Sequence, residues 1–272
     1  VLDLAQWQRY CDPRSNETTI EGMMMSTTNT QIASLVARGA LFVHNHSGGK
    51  DSQASLIKLL EVVPADQVVV VHAVLGDVEW EGSEAHIRAN IGELELILAH
   101  PFSDFWAMVE RRGMFPSPKV RQCTSDLKRT PIDREIRRYL KANPRFGGLV
   151  VNVEGLRAQE STERAKKTPF KFNKGGSIAG REWYDWLNIH DMSEDEVFAT
   201  IAQAGQVPFW TYAAGMRRKS CAFCIYACDS DLTLAAKLRP ELYAKYVATE
   251  RRLGFTLKMD RRTLPEITGI AA

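Results

Sequence analysis

Leu41-Phe42-Val43-His44-Asn45-His46, followed without a break by Ser47-Gly48-Gly49-Lys50-Asp51-Ser52, is the stretch that decides how this chain folds. An apolar, β-prone run ends in a Gly-Gly turn, and the turn opens into Gln53-Ala54-Ser55-Leu56-Ile57-Lys58-Leu59-Leu60, a good helix former. The pattern predicts a strand, a tight loop and a helix in direct succession. The first turn of a helix carries unpaired amides and a partial positive charge, so an anion seats there readily. Glycines let the backbone close around a phosphate with no Cβ in the way. The stretch reads as a phosphate cradle and points to nucleotide chemistry. The plainer alternative is a tight turn that binds nothing. The spacing is not that of a Walker A loop, which needs G-x-x-x-x-G-K-[ST].

Outward from the loop, residues 67–74 (Gln-Val-Val-Val-Val-His-Ala-Val) are too β-branched to be anything but a buried strand. Residues 84–88 read as a helix and 94–98 as a third strand. Residues 104–112 and 131–141 read as helices, and 148–153 as a fourth strand. Strands alternating with helices predict a doubly wound, mostly parallel α/β sheet covered on both faces. Ligands of such sheets bind beyond the carboxyl ends of the strands. The glycine loop, residues 72–80 and residues 154–164 all follow strand ends, so they are expected to share one crevice. Residues 168–180, rich in Lys, Gly, Phe and Asn, read as a mobile loop. Ser193-Glu194-Asp195-Glu196 is a capping box ahead of a helix. Residues 231–253 read as helical, interrupted at Pro240. The expected organisation is a leader of uncertain role over 1–28, a nucleotide-binding α/β domain over 29–215, and a helical cysteine-bearing segment over 216–272.

At 272 residues, with 44% hydrophobic and 25% charged residues, the chain has the composition of an ordinary soluble globular protein. No apolar run approaches the roughly 20 residues of a membrane span, and no signal-peptide pattern opens the chain. A cytoplasmic protein without membrane association is the expectation. The chain starts at Val1 with Met23-Met24-Met25 a little way in, as a processed or trimmed end would, and no function is placed in the leader. A net charge of +2 says almost nothing about partners. Arg111-Arg112, Lys128-Arg129, Arg134, Arg137-Arg138 and Arg217-Arg218-Lys219 read as solvated helix faces, with a polyanion such as RNA or DNA as the functional alternative.

Of the five cysteines, Cys11 lies in the leader. Cys221-Ala222-Phe223-Cys224 is a C-x-x-C, Cys228 follows, and Cys123 offers a distant fourth sulfur. Thiolates at this spacing can wrap one metal, zinc or an iron–sulfur cluster, because a short turn brings both sulfurs to one side. Buried structural thiols and a redox dithiol are the other readings of the same residues.

Ser47-Gly48-Gly49-Lys50-Asp51-Ser52 resembles the S-G-G-x-D-S PP-loop of the ATP pyrophosphatases. The similarity extends along the chain. Arg121-Gln122-Cys123-Thr124-Ser125-Asp126-Leu127-Lys128 is similar to R-x-C-T-x-x-x-K, and residues 155–164 to G-x-R-x-x-E-S-x-x-R. Residues 186–193 stand where a short Pro-Leu-x-x-Trp segment is usual, and residues 215–224 match G-x-x-R-x-x-C-x-x-C. Together these resemble the phosphoadenosine-phosphosulfate reductase family in its broad sense, a branch of the PP-loop adenine nucleotide α-hydrolases, over roughly residues 40–230.

The resemblance implies a HUP-like fold in which Ser47, Gly48, Gly49 and Ser52 cradle phosphates and Asp51 helps hold Mg²⁺. Asp51, Lys50 and Arg157 would carry the chemistry. His72, Ala73 and Val74 would lie against adenine or ribose. Arg121, Lys128, Arg157 and Arg164 would face anionic groups, with Glu160 orienting an arginine. Cys123, Cys221, Cys224 and Cys228 would bind a [4Fe–4S] cluster, zinc being the alternative. Two departures matter. True sulfonucleotide reductases have an altered loop around Ser-Phe-Gly, whereas this chain keeps Ser-Gly-Gly-Lys-Asp-Ser. They also carry a nucleophilic cysteine in a C-terminal Glu-Cys-Gly, and here no cysteine follows Cys228. The sequence is therefore closer to ATP-cleaving members such as the ATP pyrophosphatase component of DNA phosphorothioation systems. The expected activity is cleavage of ATP to AMP and pyrophosphate with adenylation of a substrate, linked to sulfur transfer. The alternatives are a sulfonucleotide reductase using Cys228 or a thioredoxin-like partner, and a nucleotide-binding regulatory subunit whose chemistry has lapsed. RNA, DNA and a small metabolite all stay open as acceptors, and the sulfur donor is not specified.

Overall fold

The computed structural model describes residues 27–271. The leader, but for its last two positions, lies outside the described residues, and so does Cys11. The chain opens with α1 (Thr27–Ala37), β1 (Leu41–Asn45) and α2 (Lys50–Leu60). There follow β2 (Val68–Ala73), α3 (Ser83–Asn90), β3 (Leu96–Ala99), α4 (Phe105–Arg112), α5 (Thr130–Ala142) and β4 (Leu149–Glu154). The second half adds β5 (Phe170–Phe172), β6 (Glu182–Trp186), α6 (Glu194–Gln203), α7 (Asp229–Leu238), α8 (Pro240–Leu253) and α9 (Leu264–Thr268).

The strands form one sheet in the order β3-β2-β1-β4-β6-β5. Every pairing is parallel except that of β5 with β6. The central strand β1 sets Val43 beside Val69 on one side and Asn152 on the other. Alternate residues then serve opposite faces. Leu41, Val43, Val69, Val71 and Val150 point toward Ile136 and Leu140 of α5. Phe42, Val70, Val151 and Val153 point toward Ile32 and Leu35 of α1 and Leu56 and Leu59 of α2. Helices cover both faces, which is the doubly wound α/β arrangement expected from the alternation. Each of these buried aliphatic side chains contributes roughly 1.5–3 kcal/mol relative to exposure.

A separate apolar cluster joins the C-terminal helices to the segment after β2. Val78, Trp80, Phe105 and Met108 pack there with Phe223, Leu232, Tyr243 and Tyr246. The capping box forms as expected: Ser193 Oγ accepts from the Glu196 amide at 3.2 Å, and Glu196 Oε2 accepts from the Ser193 amide at 2.7 Å. The helix it starts packs on α2 through Val197 and Ile201 against Ala54. Pro240 divides the predicted C-terminal helix into α7 and α8, with Arg239 extended at the break (φ −133°, ψ 63°).

The expected mobile loop at 168–180 is corrected. It holds the edge strand β5, whose Phe172 pairs with Tyr184 of β6. Asn173 then fixes the turn, donating to the Asp185 carboxylate at 3.0 Å and accepting from the Gly176 amide at 2.9 Å. Polar composition concealed the strand because an edge position leaves one side in water. Among the described residues no helix is long and apolar enough to cross a membrane.

Candidate phosphate-binding site

The chain leaves β1 toward β2 and β3 on one side, and places β4, β6 and β5 on the other. The switch in direction falls between β1 and β4, where an open α/β sheet has its ligand crevice. The glycine loop after β1 and Gly155-Leu156-Arg157 after β4 both emerge at this point. They touch through backbone: a Cβ on Gly155 would lie 2.7 Å from the Asp51 carbonyl oxygen and 3.1 Å from Ser52 Cα.

The loop is braced from within. The Ser47 amide donates to Ser52 Oγ at 3.2 Å, and Ser52 Oγ donates to the Gly49 carbonyl at 2.8 Å. Gly48, in the left-handed region at φ +75°, gives its amide to His46 Nδ1 at 3.0 Å. The Lys50 amide goes to the Tyr212 hydroxyl at 3.1 Å. The amides of Asp51 and Ser52 belong to the first turn of α2, which has no intrahelical partners to offer them. His46 and His44 are buried, and burial holds both imidazoles far below their ordinary value, His44 at about 3. They are neutral, buried supports of the cradle.

Lys50 and Arg157 are almost fully buried, and Asp51 joins them. Its Oδ2 meets Lys50 Nζ at 2.9 Å and its Oδ1 meets Arg157 Nε at 2.6 Å. Burial alone would raise the Asp51 carboxyl, but the charges of Lys50 and Arg157 outweigh it and hold it below its ordinary value. Lys50 also pairs with Glu194 at 3.1 Å. Arg157 is steadied by Gln159 Oε1 at 2.7 Å and the Met192 carbonyl at 3.2 Å. Each Asp51 carboxylate oxygen thus holds one buried cation. Glu160 accepts from the Arg157 amide at 3.0 Å and pairs with Arg164 and, at 3.3 Å, Arg218. Arg121 is exposed, at the start of the turn that precedes Cys123.

After β2, His72 turns one ring nitrogen to the His46 carbonyl at 2.8 Å and the other to Glu79 at 3.3 Å. Glu79 also pairs with Lys219 at 3.3 Å. Burial pushes the Glu79 carboxyl up, but the hydrogen bond from His72 and the charge of Lys219 prevail and hold it at about 2. Lys219 Nζ donates to the Ser47 carbonyl. The segments after β1, β2 and β4 are thus bonded to one another, and Glu79, Glu194, Tyr212 and Lys219, which no motif singled out, join them with Arg218. Beside His72 and Glu79 a cavity of about 360 Å³ opens, lined also by Val74, Trp80, Gly82 and Ser83. Ala73 ends β2 at its rim, paired with Ala99.

The cysteines divide. Cys123, Cys221 and Cys224 pack on the same apolar cluster, beside Tyr246. Burial raises the Cys123 thiol and pushes that of Cys221 up to about 11. Lys128 lies within electrostatic reach of these sulfurs, and the charge of Cys221 chiefly raises its pKa. The Tyr246 hydroxyl is buried without a partner. Cys228 is elsewhere, its Sγ 3.1 Å from Ser230 Oγ. The expected four-sulfur set is thus not assembled, and among the described residues no three His, Cys, Asp or Glu side chains close around a metal position. The physical reason is that Cys228 stands at the N-cap of α7, facing out of the apolar cluster that collects the other three.

No family model matches the chain. It is 24% identical over 221 residues to an uncharacterized protein of Methanocaldococcus jannaschii, covering 77% of this chain and 47% of that one. It is 31% identical over 140 residues to an uncharacterized 37.8 kDa protein of Escherichia phage 186, covering 52% and 40%. The chain thus spans less than half the length of the curated relatives it matches. Among solved structures, it is similar to phosphoadenylyl-sulfate reductase from Candida auris in a phosphate complex, at 10% identity and a TM-score of 0.45, covering 76% of this chain and 98% of that one. It is also similar to Candida glabrata FMN adenylyltransferase with FAD and inorganic pyrophosphate, at 11% identity and a TM-score of 0.41, covering 77% and 67%. At this distance the functional reading rests on the residues of the chain itself.

Proposed function

We propose that this chain belongs to a PP-loop enzyme that binds ATP after β1 and cleaves it between the α- and β-phosphates, releasing pyrophosphate and adenylating an acceptor. The observation that carries the reading is the convergence of the Ser47–Ser52 loop, Lys50 and Arg157 at the β1/β4 switch point. Phosphates seated on the Asp51 and Ser52 amides meet two buried cations held in place by one carboxylate. Pre-set charge of this kind stabilises a leaving pyrophosphate without reorganisation at the moment of reaction. Mg²⁺ enters with the nucleotide, bound through phosphate oxygens, and Asp51 acts by aiming Lys50 and Arg157. The cavity beside His72 and Val74 takes the adenosine. Arg164 and Arg218, joined by Glu160, form a cationic rim where an anionic acceptor docks.

Cys123, Cys221 and Cys224 link the activity to sulfur transfer. Their three thiols pack on one apolar cluster without closing around a metal position, so the link rests on the thiols themselves and not on a cluster or zinc. The half-buried, separate Cys228 supports the second reading, a sulfonucleotide reductase, in which Cys228→Ser would abolish sulfite release. The first reading is tested by the products formed from ATP and Mg²⁺ across candidate acceptors. AMP with pyrophosphate, lost in Asp51→Asn without loss of fold, is expected; ADP with phosphate would refute it.

A further inference from the structure

The glycine loop holds a charge that the loop itself does not supply. Lys219, from the turn just before the C-x-x-C, sends its side chain, 2% exposed, onto the loop from the side of the C-terminal segment. Its ammonium donates to the Ser47 carbonyl, and it lies 2.9 Å from where a Cβ on Gly48 would stand. Gly48 is required by its left-handed backbone, and a Cβ there would push on the Lys219 ammonium. The ammonium also sits 5.1 Å from the centre of the Phe209 ring, a low-dielectric wall. Its position is fixed from behind, since the Lys219 amide donates to the same Tyr212 hydroxyl that receives the Lys50 amide, at 3.4 Å and 3.1 Å.

The charge around it does not balance. The one carboxylate that Lys219 touches is Glu79, and Glu79 is shared with His72. The charge of Glu79 is also felt at Lys128, though less than that of the three cysteines. His46 and His86 face the same space and are held neutral, His86 at about 4 by burial and the Lys219 charge. Cations sharing one carboxylate in a buried pocket leave a deficit of negative charge, and an anion at the loop supplies it. A carbonyl oxygen is a weak partner for a buried ammonium; a phosphate oxygen is a strong one.

We propose that Lys219 is a phosphate-binding residue of the loop, resting on the Ser47 carbonyl in the free chain and transferring to the terminal phosphates of a bound nucleotide. The proposal rests on the ATP-binding reading above and names the part of the ligand, the pyrophosphate moiety, that Lys219 recognises. Arg157 and Lys50 are tied closely to Asp51, at 2.6 Å and 2.9 Å, whereas Lys219 meets Glu79 at 3.3 Å and keeps that pair while it exchanges the Ser47 carbonyl for a phosphate. Because Ser220 alone separates Lys219 from Cys221, the same residue joins the phosphate loop to the cysteine group.

The test is equilibrium binding of inorganic pyrophosphate, ATP and adenosine to the wild type, Lys219→Arg and Lys219→Met. Loss of one charge-assisted contact predicts that Lys219→Met weakens pyrophosphate and ATP by about 10- to 100-fold while adenosine is unchanged, with most affinity restored in Lys219→Arg. Equal pyrophosphate affinity in all three proteins would overturn the assignment. So would a uniform loss that includes adenosine, which marks a packing role. A wild type that binds neither ATP nor pyrophosphate would overturn the ATP-binding reading, and the assignment with it. Should Lys219→Met not fold, the wild type is labelled with an adenosine triphosphopyridoxal aldehyde and reduced with borohydride. Modification at Lys219 that ATP prevents supports the assignment; modification confined to other lysines refutes it.

Discussion

Gly155→Ala is the sharpest probe of how the site is built. Gly155 has no positive φ, so alanine carries no backbone strain there, and the whole effect is steric. The new Cβ would lie 2.7 Å from the Asp51 carbonyl oxygen, 3.0 Å from its carbon and 3.1 Å from Ser52 Cα. All are backbone atoms, which cannot rotate away. Restoring ordinary contact means opening 2.7 Å to at least 3.4 Å, so the end of β4 and the start of α2 must part by roughly 0.7 Å. Overpacking of this kind costs about 1–3 kcal/mol, a fall in melting temperature of roughly 2–12 °C for a chain of this size. The same displacement stretches the 2.6 Å contact between Arg157 and Asp51, so nucleotide affinity falls with stability. Gly175→Ala is the control, because its Cβ meets only Asn173 Oδ1 at 3.6 Å; it stays within about 0.5 kcal/mol of the wild type. Thermal melts and ATP titrations on both variants decide the matter. A Gly155→Ala protein that melts with the wild type and binds ATP equally well would refute the close approach of the two elements.

Tyr212→Phe keeps the edge-on packing against Phe198 but leaves the Lys50 and Lys219 amides without their shared acceptor. A loss of about 1–3 kcal/mol in urea unfolding is expected, together with weaker ATP binding, and an unchanged midpoint would contradict the bracket. Glu79, held at about 2 against an ordinary 4.5, contributes stability that is fully present above about pH 4.5 and lost as pH falls through about 2. That contribution is roughly 3 kcal/mol, so the acid-unfolding curves of wild type and Glu79→Gln should differ near neutral pH and converge at the acid end; parallel curves would disprove it. Ser193→Ala removes the Oγ that caps α6 and should cost about 1 kcal/mol. Denaturant melts check this, and a cost above about 2 kcal/mol would show that the cap does more than end the helix.

Much of the architecture was legible because each deciding signal is local. The β-branched run ending at His72, the Gly-Gly turn before Lys50 and the Ser193–Glu196 box each declare themselves within a few residues. β6 was not read as a strand, since Glu182 to Trp186 mixes charge and aromatics on both faces, and β5 pairs over only three residues at an edge. The loop, Asp51, Arg157 and Glu160 were legible as a motif. Lys219, Glu79, Tyr212 and Glu194 were not, because their roles arise from the packing of segments up to 172 residues apart. Lys128, anion-facing by resemblance, stands on the wide helical turn Ser125–Arg129, where the charges of Cys221, Cys224 and Cys123 act on it. Cys228 looked like a ligand beside the C-x-x-C on spacing alone, which says nothing of the direction its sulfur takes.

The most direct test of the account is an equilibrium competition between ATP with Mg²⁺ and phosphoadenosine phosphosulfate, on anaerobically purified protein. A clear preference for ATP, lost in Asp51→Asn, is the predicted result and makes the Ser47–Ser52 loop a triphosphate site. A preference for the sulfonucleotide would contradict it and move the chemistry to Cys228.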